Sequence, residues 1–253
     1  MKCREPRVSA AAASWPAAPL PNAAIAAAVV SAVVATEYAF RHFVLFWMPT
    51  LGTMRVNDMV ALGMAYSLLL VTVGSLAHAD WRQELHELGR AFREFATQWA
   101  YTPWLLVLML SLVVLPAADE WLLGGLRFPM RVSTFRNPDT WFAQAAPALE
   151  VLAMIGVNGL FVPIAEEYLW RGIIQARLSK ALPAAVAIAA TAILFSLKHV
   201  AVDASWGRFL TLVAFGGICG LLAQRHTWRS SAALHLVVNT ASTTVALALG
   251  KMA

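Results

Sequence analysis

Glu150–Leu178 reads EVLAMIGVNGLFVPIAEEYLWRGIIQARL. Fifteen almost wholly apolar residues precede Glu166, and the run then meets Glu166, Glu167 and Arg171 without a turn signal. An apolar stretch of that length, ending in charge, is the pattern of a membrane-crossing helix rather than of a soluble core segment. Residues i and i+4 share a helix face, so the spacing predicts a Glu167–Arg171 pair. Glu166 lies about 100° further round and is predicted to be free for other work. The plain alternative is a helix end at the membrane interface, where all three charges are solvated.

Working outward from this stretch, similar apolar runs recur along the whole chain. Spans are predicted at about Asn22–Phe46, Asp58–Ala77, Pro103–Ala118, Glu150–Ile164 (continuing as helix through Leu178), Leu182–His199, Arg208–Ala223 and Ser231–Leu249. The expected fold class is all-α, a polytopic transmembrane bundle of about seven spans, with six to eight compatible with the pattern. Of the 253 residues, 60% are hydrophobic and 13% charged. Soluble domains carry about 25% charged residues, so the composition excludes an ordinary soluble exterior. The +5 formal charge is scattered over several connections, which suits membrane insertion and argues against a nucleic-acid partner. The bilayer is the expected environment. Cys3 and Cys219 are the only cysteines, and they support neither a disulfide framework nor a cysteine metal site.

The basic start is broken by Pro6, Pro16, Pro19 and Pro21, and the apolar run that follows exceeds signal-peptide length; an uncleaved first span is expected. Lys and Arg in alternate connections number eleven on the side of the N-terminus and six on the other. That bias predicts a cytoplasmic N-terminus and an outer C-terminus, in a bacterial inner or plasma membrane.

Two connections have character of their own. WRQELHELGRAFREFATQW, Trp81 to Trp99, spaces Leu85, Leu88, Phe92, Phe95 and Trp99 on one helical face against charge. It predicts an interfacial amphipathic helix that anchors without catalysing. Asp119 to Pro147 mixes Trp121, Phe128, Trp141 and Phe142 with proline and glycine, and reads as an interface loop. The expected organisation is therefore a membrane region over residues 1–147, with three spans and the helix at about 81–99, followed by a chemistry-bearing core over 148–253. No internal repeat is evident.

Ionisable residues inside spans are costly, and by default mark function. Besides Glu166, the candidates are His199, ending Phe195-Ser-Leu-Lys-His199, and the His235/Asn239 pair, which shares a helix face. Each has a structural reading: an interfacial histidine, or a hydrogen bond between helices. Together they describe a hydrolytic constellation. A carboxylate in a low-dielectric pocket has a raised affinity for protons and, beside a histidine, can take one from water. A second histidine and an amide can donate to an oxyanion. The same Glu166, His199 and His235 could instead ligate a metal with an open water position.

Glu166-Glu167-Tyr-Leu-Trp-Arg171, Phe195-x-x-x-His199 and His235-x-x-x-Asn239 follow the order EExxxR, FxxxH and HxxxN. In these the chain resembles the CPBP family of CAAX proteases and bacteriocin-processing enzymes, over about Leu149 to Leu249. Its layout also resembles the CAAX-protease-related proteins of exosortase and PEP-CTERM sorting systems. The resemblance implies an intramembrane endopeptidase, with a membrane-associated protein or peptide as substrate. Glu166, helped by His199, would activate water, while His235 and Asn239 would stabilise the oxyanion. Glu167 and Arg171 would support the site, and Phe195 would pack beside His199. The resemblance leaves both a zinc cofactor and a metal-free, glutamate-activated water open. No HExxH is present and no serine sits in a GxSx setting. Two readings from other classes are a non-catalytic scaffold or immunity-type protein, and a proton-coupled transporter. The absence of a repeat relating two halves weighs against the latter.

Overall fold

The computed structural model describes residues 22–45, 54–123 and 151–248. Among them are eight principal helices and no strand: α1 Asn22–Val44, α2 Met54–Leu76, α3 Trp81–Thr97, α4 Thr102–Leu123, α5 Val151–Leu178, α6 Ala184–Asp203, α7 Phe209–Arg225 and α8 Trp228–Ala248. The molecule is an all-α polytopic bundle, as expected. α1, α2, α4, α5 and α6 are long and apolar enough to cross a bilayer, and α7 is apolar but shorter.

α8 differs from the other predicted spans. Its 21 residues would reach about 31 Å at 1.5 Å per residue, enough for the hydrocarbon layer. Its sequence is rich in Ser, Thr, His and Asn, and it is not among the helices apolar enough to qualify. The reason is its place in the bundle. Trp228 to His235 are all buried against other helices, so the polar groups there meet protein rather than lipid.

The predicted interface loop starts later than expected, because Asp119–Leu123 completes α4; the rest of that loop, with Phe128, Trp141 and Phe142, lies outside the described residues. α4 turns Leu106, Leu110 and Val113 outward while burying Asp119 completely. That carboxylate closes the N-terminus of α7. Its oxygens accept from the backbone N–H of Leu210 at 2.7 Å and of Thr211 at 2.9 Å, and from the Thr211 hydroxyl at 2.5 Å. Arg208, the residue at the cap position, supplies no side-chain cap of its own. A cap borrowed from a distant helix satisfies two of the orphan N–H groups and places negative charge at the positive end of the helix dipole.

α3 is the predicted amphipathic helix, capped by Asp80 on Arg82 and Gln83. Leu85 and Trp99 stay exposed, as anchoring requires, but α3 also braces α8. Glu84 and Glu87 both bind Arg229 in the first turn of α8, Glu87 at 2.9 Å. Burial outweighs the nearby guanidinium and holds the Glu84 carboxyl above its ordinary range. The Trp81 ring lies over Gly74 of α2, where a Cβ would come within 2.2 Å of it.

α5, α6 and α7 interlock more tightly still. Arg171 and Gln175 of α5, one turn apart, donate to the carbonyls of Gly216 and Gly220 of α7 at 3.1 and 3.0 Å. Gly216 lets α7 approach α6 closely: a Cβ there would be 3.0 Å from the Ala192 backbone. Small residues at such crossings are how membrane helices gain packing without a hydrophobic driving force.

Replacing Asp119 by alanine leaves two helix N–H groups and a hydroxyl without their acceptor. The expected loss is about 1–3 kcal/mol, read as an earlier transition in SDS titration of the detergent-solubilised chain, with Asp119→Asn intermediate. A wild-type transition for Asp119→Ala would refute the remote cap.

Candidate active site

The site begins with the local shape of α5. Pro163 lacks an N–H, so one carbonyl about a turn before it loses its usual donor, and the preceding Val162 N–H reaches back to the Val157 carbonyl. The helix widens into π-type turns over Met154–Phe161 and again over Tyr168–Gln175, on either side of the regular turn that carries the two glutamates. Such wide turns recur at functional sites. α8 takes up the released carbonyls. The Asn239 amide donates to the Asn158 carbonyl at 3.2 Å and the Thr240 hydroxyl to the Gly159 carbonyl at 3.1 Å. In a membrane, proline within a helix is tolerated on the condition that neighbouring groups satisfy the backbone in this way.

The adjacent glutamates then face different helices. Glu167, fully buried, meets Arg171 at 3.0 Å, as the spacing predicts. Its carboxylate also accepts from the Ser231 hydroxyl at 2.6 Å and from His235 Nδ1 at 2.9 Å, both on α8. A carboxylate only accepts, so His235 carries its hydrogen on Nδ1 and turns Nε2 toward Glu166, 3.8 Å from Oε2. Phe195 is buried between Trp170, Phe215 and the His199 ring, with the Arg171 guanidinium 4.8 Å from its centre. His199 bonds through Nδ1 to the Phe195 carbonyl at 2.9 Å, which again fixes the hydrogen on Nδ1. Its Nε2 is 3.9 Å from Glu166 Oε1.

Glu166 is not free, contrary to the sequence expectation. Its Oε1 accepts from the Lys198 ammonium at 2.8 Å and from the Tyr66 hydroxyl at 2.7 Å. Lys198 also binds Glu37 of α1 at 3.0 Å and His199 Nε2 at 3.1 Å. Tyr66 of α2 binds Glu37 at 2.7 Å. The expected lone carboxylate is therefore one end of an ion-paired network spanning four helices.

Three of the four predicted catalytic residues, Glu166, His199 and His235, come together within 4 Å. Asn239 lies one turn further along α8, bonded to α5. Glu37, Tyr66 and Lys198 escaped the sequence reading. The signal for Glu37 was available, since an acid fifteen residues into the first apolar run has to find a buried partner. Lys198 was legible too, but only as the neighbour of His199. Nothing in the sequence marks Tyr66.

The candidate metal ligands do not fit a metal as they stand. The Lys198 ammonium is within hydrogen-bond reach of both Glu166 Oε1 and His199 Nε2. Zinc bonds of about 2.0–2.2 Å from those atoms would put a second cation almost on top of it. Among the described residues, no group of three or more His, Cys, Asp or Glu is arranged to hold a metal.

Fold and site define an integral membrane protein with a buried carboxylate between two histidines. Residues 147–241 match the model of the family described as type II CAAX prenyl endopeptidase Rce1-like. The likeness to this family, which is one of proteases, lies in that stretch of the chain. The match covers the residues that carry all three motifs and does not bear on the expected resemblance to exosortase-system proteins. No curated protein and no solved structure matches the chain.

Arg171→Ala would strand Glu167 as a buried charge. The expected cost is about 3–5 kcal/mol, with Arg171→Lys recovering part of it. SDS unfolding titrations measure the difference, and a neutral Arg171→Ala would contradict the support role of the pair.

Proposed function

We propose that the chain is an intramembrane endopeptidase that hydrolyses a peptide bond of a membrane-associated protein or peptide, with Glu166 as the base that activates water. The observation that carries this reading is the pair of imidazole Nε2 atoms, from α6 and α8, 3.9 and 3.8 Å from opposite oxygens of buried Glu166. The His235 separation exceeds a hydrogen bond and suits a water seated against Oε2, while the His199 gap is bridged by the Lys198 ammonium, 3.1 Å from Nε2 and 2.8 Å from Oε1. Clustering of this kind supports hydrolysis over a relay, which would string its groups across the membrane.

Oε1 of Glu166 is held by Tyr66 and Lys198, so Oε2 is the reacting oxygen. The water O–H bond breaks, its proton passes to Glu166, and the hydroxide adds to the scissile carbonyl carbon. The carbonyl π pair moves to oxygen. When the intermediate collapses, the C–N bond breaks and the amine leaves with the proton returned by Glu166. His235 with a second proton, taken from bulk water before the substrate binds and kept throughout the cycle, donates from Nε2 to the oxyanion, and Glu167 on its other nitrogen steadies the imidazolium. The Asn239 amide has two N–H donors. One holds Asn158, and the second serves the oxyanion. His199 assists Glu166 from the other side, with its ring set by the Phe195 carbonyl and Lys198. Arg171 keeps Glu167 in register.

Glu166, His199 and His235 sit on helices of the membrane bundle, a setting that suits a substrate arriving from the lipid phase. The Lys/Arg distribution supports a cytoplasmic N-terminus in a bacterial inner or plasma membrane. The chain reconstituted in liposomes is expected to cleave a lipid-inserted peptide. Suitable probes are a farnesylated peptide ending in a CAAX sequence and the same peptide without its prenyl group, with products read by mass spectrometry. Glu166→Gln and His199→Ala should each reduce the rate by about 100-fold or more. Wild-type cleavage by Glu166→Gln would remove the assigned base, and the proposed mechanism with it.

A further inference from the structure

We propose that Glu37, Tyr66 and Glu166 hold two protons among their side chains, so that Glu37, supplied by the first membrane helix, is a positioning residue for the catalytic carboxylate. The catalytic meaning rests on the reading of Glu166 as base; the proton count rests on geometry alone.

The Tyr66 hydroxyl oxygen is 2.7 Å from Glu37 Oε2 and 2.7 Å from Glu166 Oε1. Both are the usual length of an O–H···O bond. A tyrosine owns one hydroxyl proton, and an ionised carboxylate is an acceptor only. With both glutamates ionised, one of the two contacts would press two oxygens together with no hydrogen between them. The three residues are 0 to 3% exposed, which leaves solvent little access to relieve the repulsion. Low dielectric makes such an unmatched pair more costly than it would be in water.

Lys198 cannot make up the shortfall. Its ammonium has three protons and faces Glu37, Glu166 and His199 at 3.0, 2.8 and 3.1 Å, with the Tyr66 oxygen at 3.3 Å. Those hydrogens lie along the nitrogen–oxygen and nitrogen–nitrogen lines, not between the oxygens. The second proton therefore sits on a carboxyl group. On Glu37, the order is Glu37 O–H to Tyr66 oxygen and Tyr66 O–H to the Glu166 carboxylate. Passing both hydrogens along the chain leaves Glu37 ionised, Tyr66 neutral and Glu166 protonated, with no atom gained or lost.

The remaining charges around Glu37 suit either arrangement. Arg41, one turn along α1, lies 3.7 Å from Glu37 Oε1 and directs its stronger bonds elsewhere. It binds Asp58 of α2 at 3.0 Å and Asp203 of α6 at 3.1 Å, and Asp203 also holds Arg208. Two buried carboxyl groups sharing a proton are a recurrent way of keeping one of them poised for acid–base work. Here the sharing runs through a tyrosine and fastens Oε1 of Glu166, leaving Oε2 for the substrate side.

Infrared difference spectroscopy of the full chain in lipid nanodiscs at neutral pH tests this without any cleavage assay, so its failure is separate from failure of the peptidase reading. The wild type should show the carbonyl stretch of a protonated carboxyl group, downshifted in deuterium oxide. Glu37→Gln, whose amide supplies its own hydrogen to Tyr66, should lose one such group per chain. Tyr66→Phe should displace the band or abolish it. A wild type without the band overturns the proposal, and so does a band unchanged in either variant. Should Glu37→Gln fail to fold in detergent melting, Tyr66→Phe decides the matter alone.

Discussion

The ammonium of Lys198, buried and shared between Glu37 and Glu166, is the constraint on which the rest of the site depends. Two carboxylates and a lysine in the interior of a membrane bundle each carry a desolvation cost of several kcal/mol unless paired and hydrogen-bonded. The pairing in turn dictates which helices must be neighbours. Glu37 ties α1 to α6, Tyr66 ties α2 to α5, and Glu166 closes the ring. Lipid-facing helices gain no hydrophobic drive toward one another, so satisfied polar contacts and close packing decide their arrangement. The same contacts that hold the bundle together orient the carboxylate.

A second polar network, through Glu167, works differently. It lies about 100° round α5 from Glu166 and binds Arg171, Ser231 and His235, making α8 a fixed partner rather than a separate span. His235 sits between the two networks, one nitrogen on each glutamate. Adjacent in sequence, Glu166 and Glu167 thus join different networks: one binds Lys198 and Tyr66, the other Arg171 and Ser231. The wide turn before them lies next to Pro163 and is stitched by Asn239 and Thr240.

Much of the fold was legible from the sequence. Seven apolar runs became helices, and the Trp81–Trp99 pattern became α3, because helical periodicity and hydrophobic length are local properties of the chain. The end of α4 was misread. Trp121 and its neighbours look like an interface loop unless Asp119 is known to have a buried task. The charged face of α3 carried no assigned partner in the sequence reading, and Glu84 and Glu87 clasp Arg229.

By itself the sequence determined that the chain is a helical membrane protein, that Glu167 and Arg171 can pair, and that Glu166, His199 and His235 are ionisable groups where such groups are expensive. Each of these follows from composition or from spacing along one helix. Only the tertiary structure decided that Glu166 is held by Lys198 and Tyr66, both of which also bind Glu37, and that Asn239 answers a carbonyl next to Pro163. Those contacts join residues from 29 to 161 positions apart. No periodicity encodes them, because the choice of partner belongs to the packing of one helix against another.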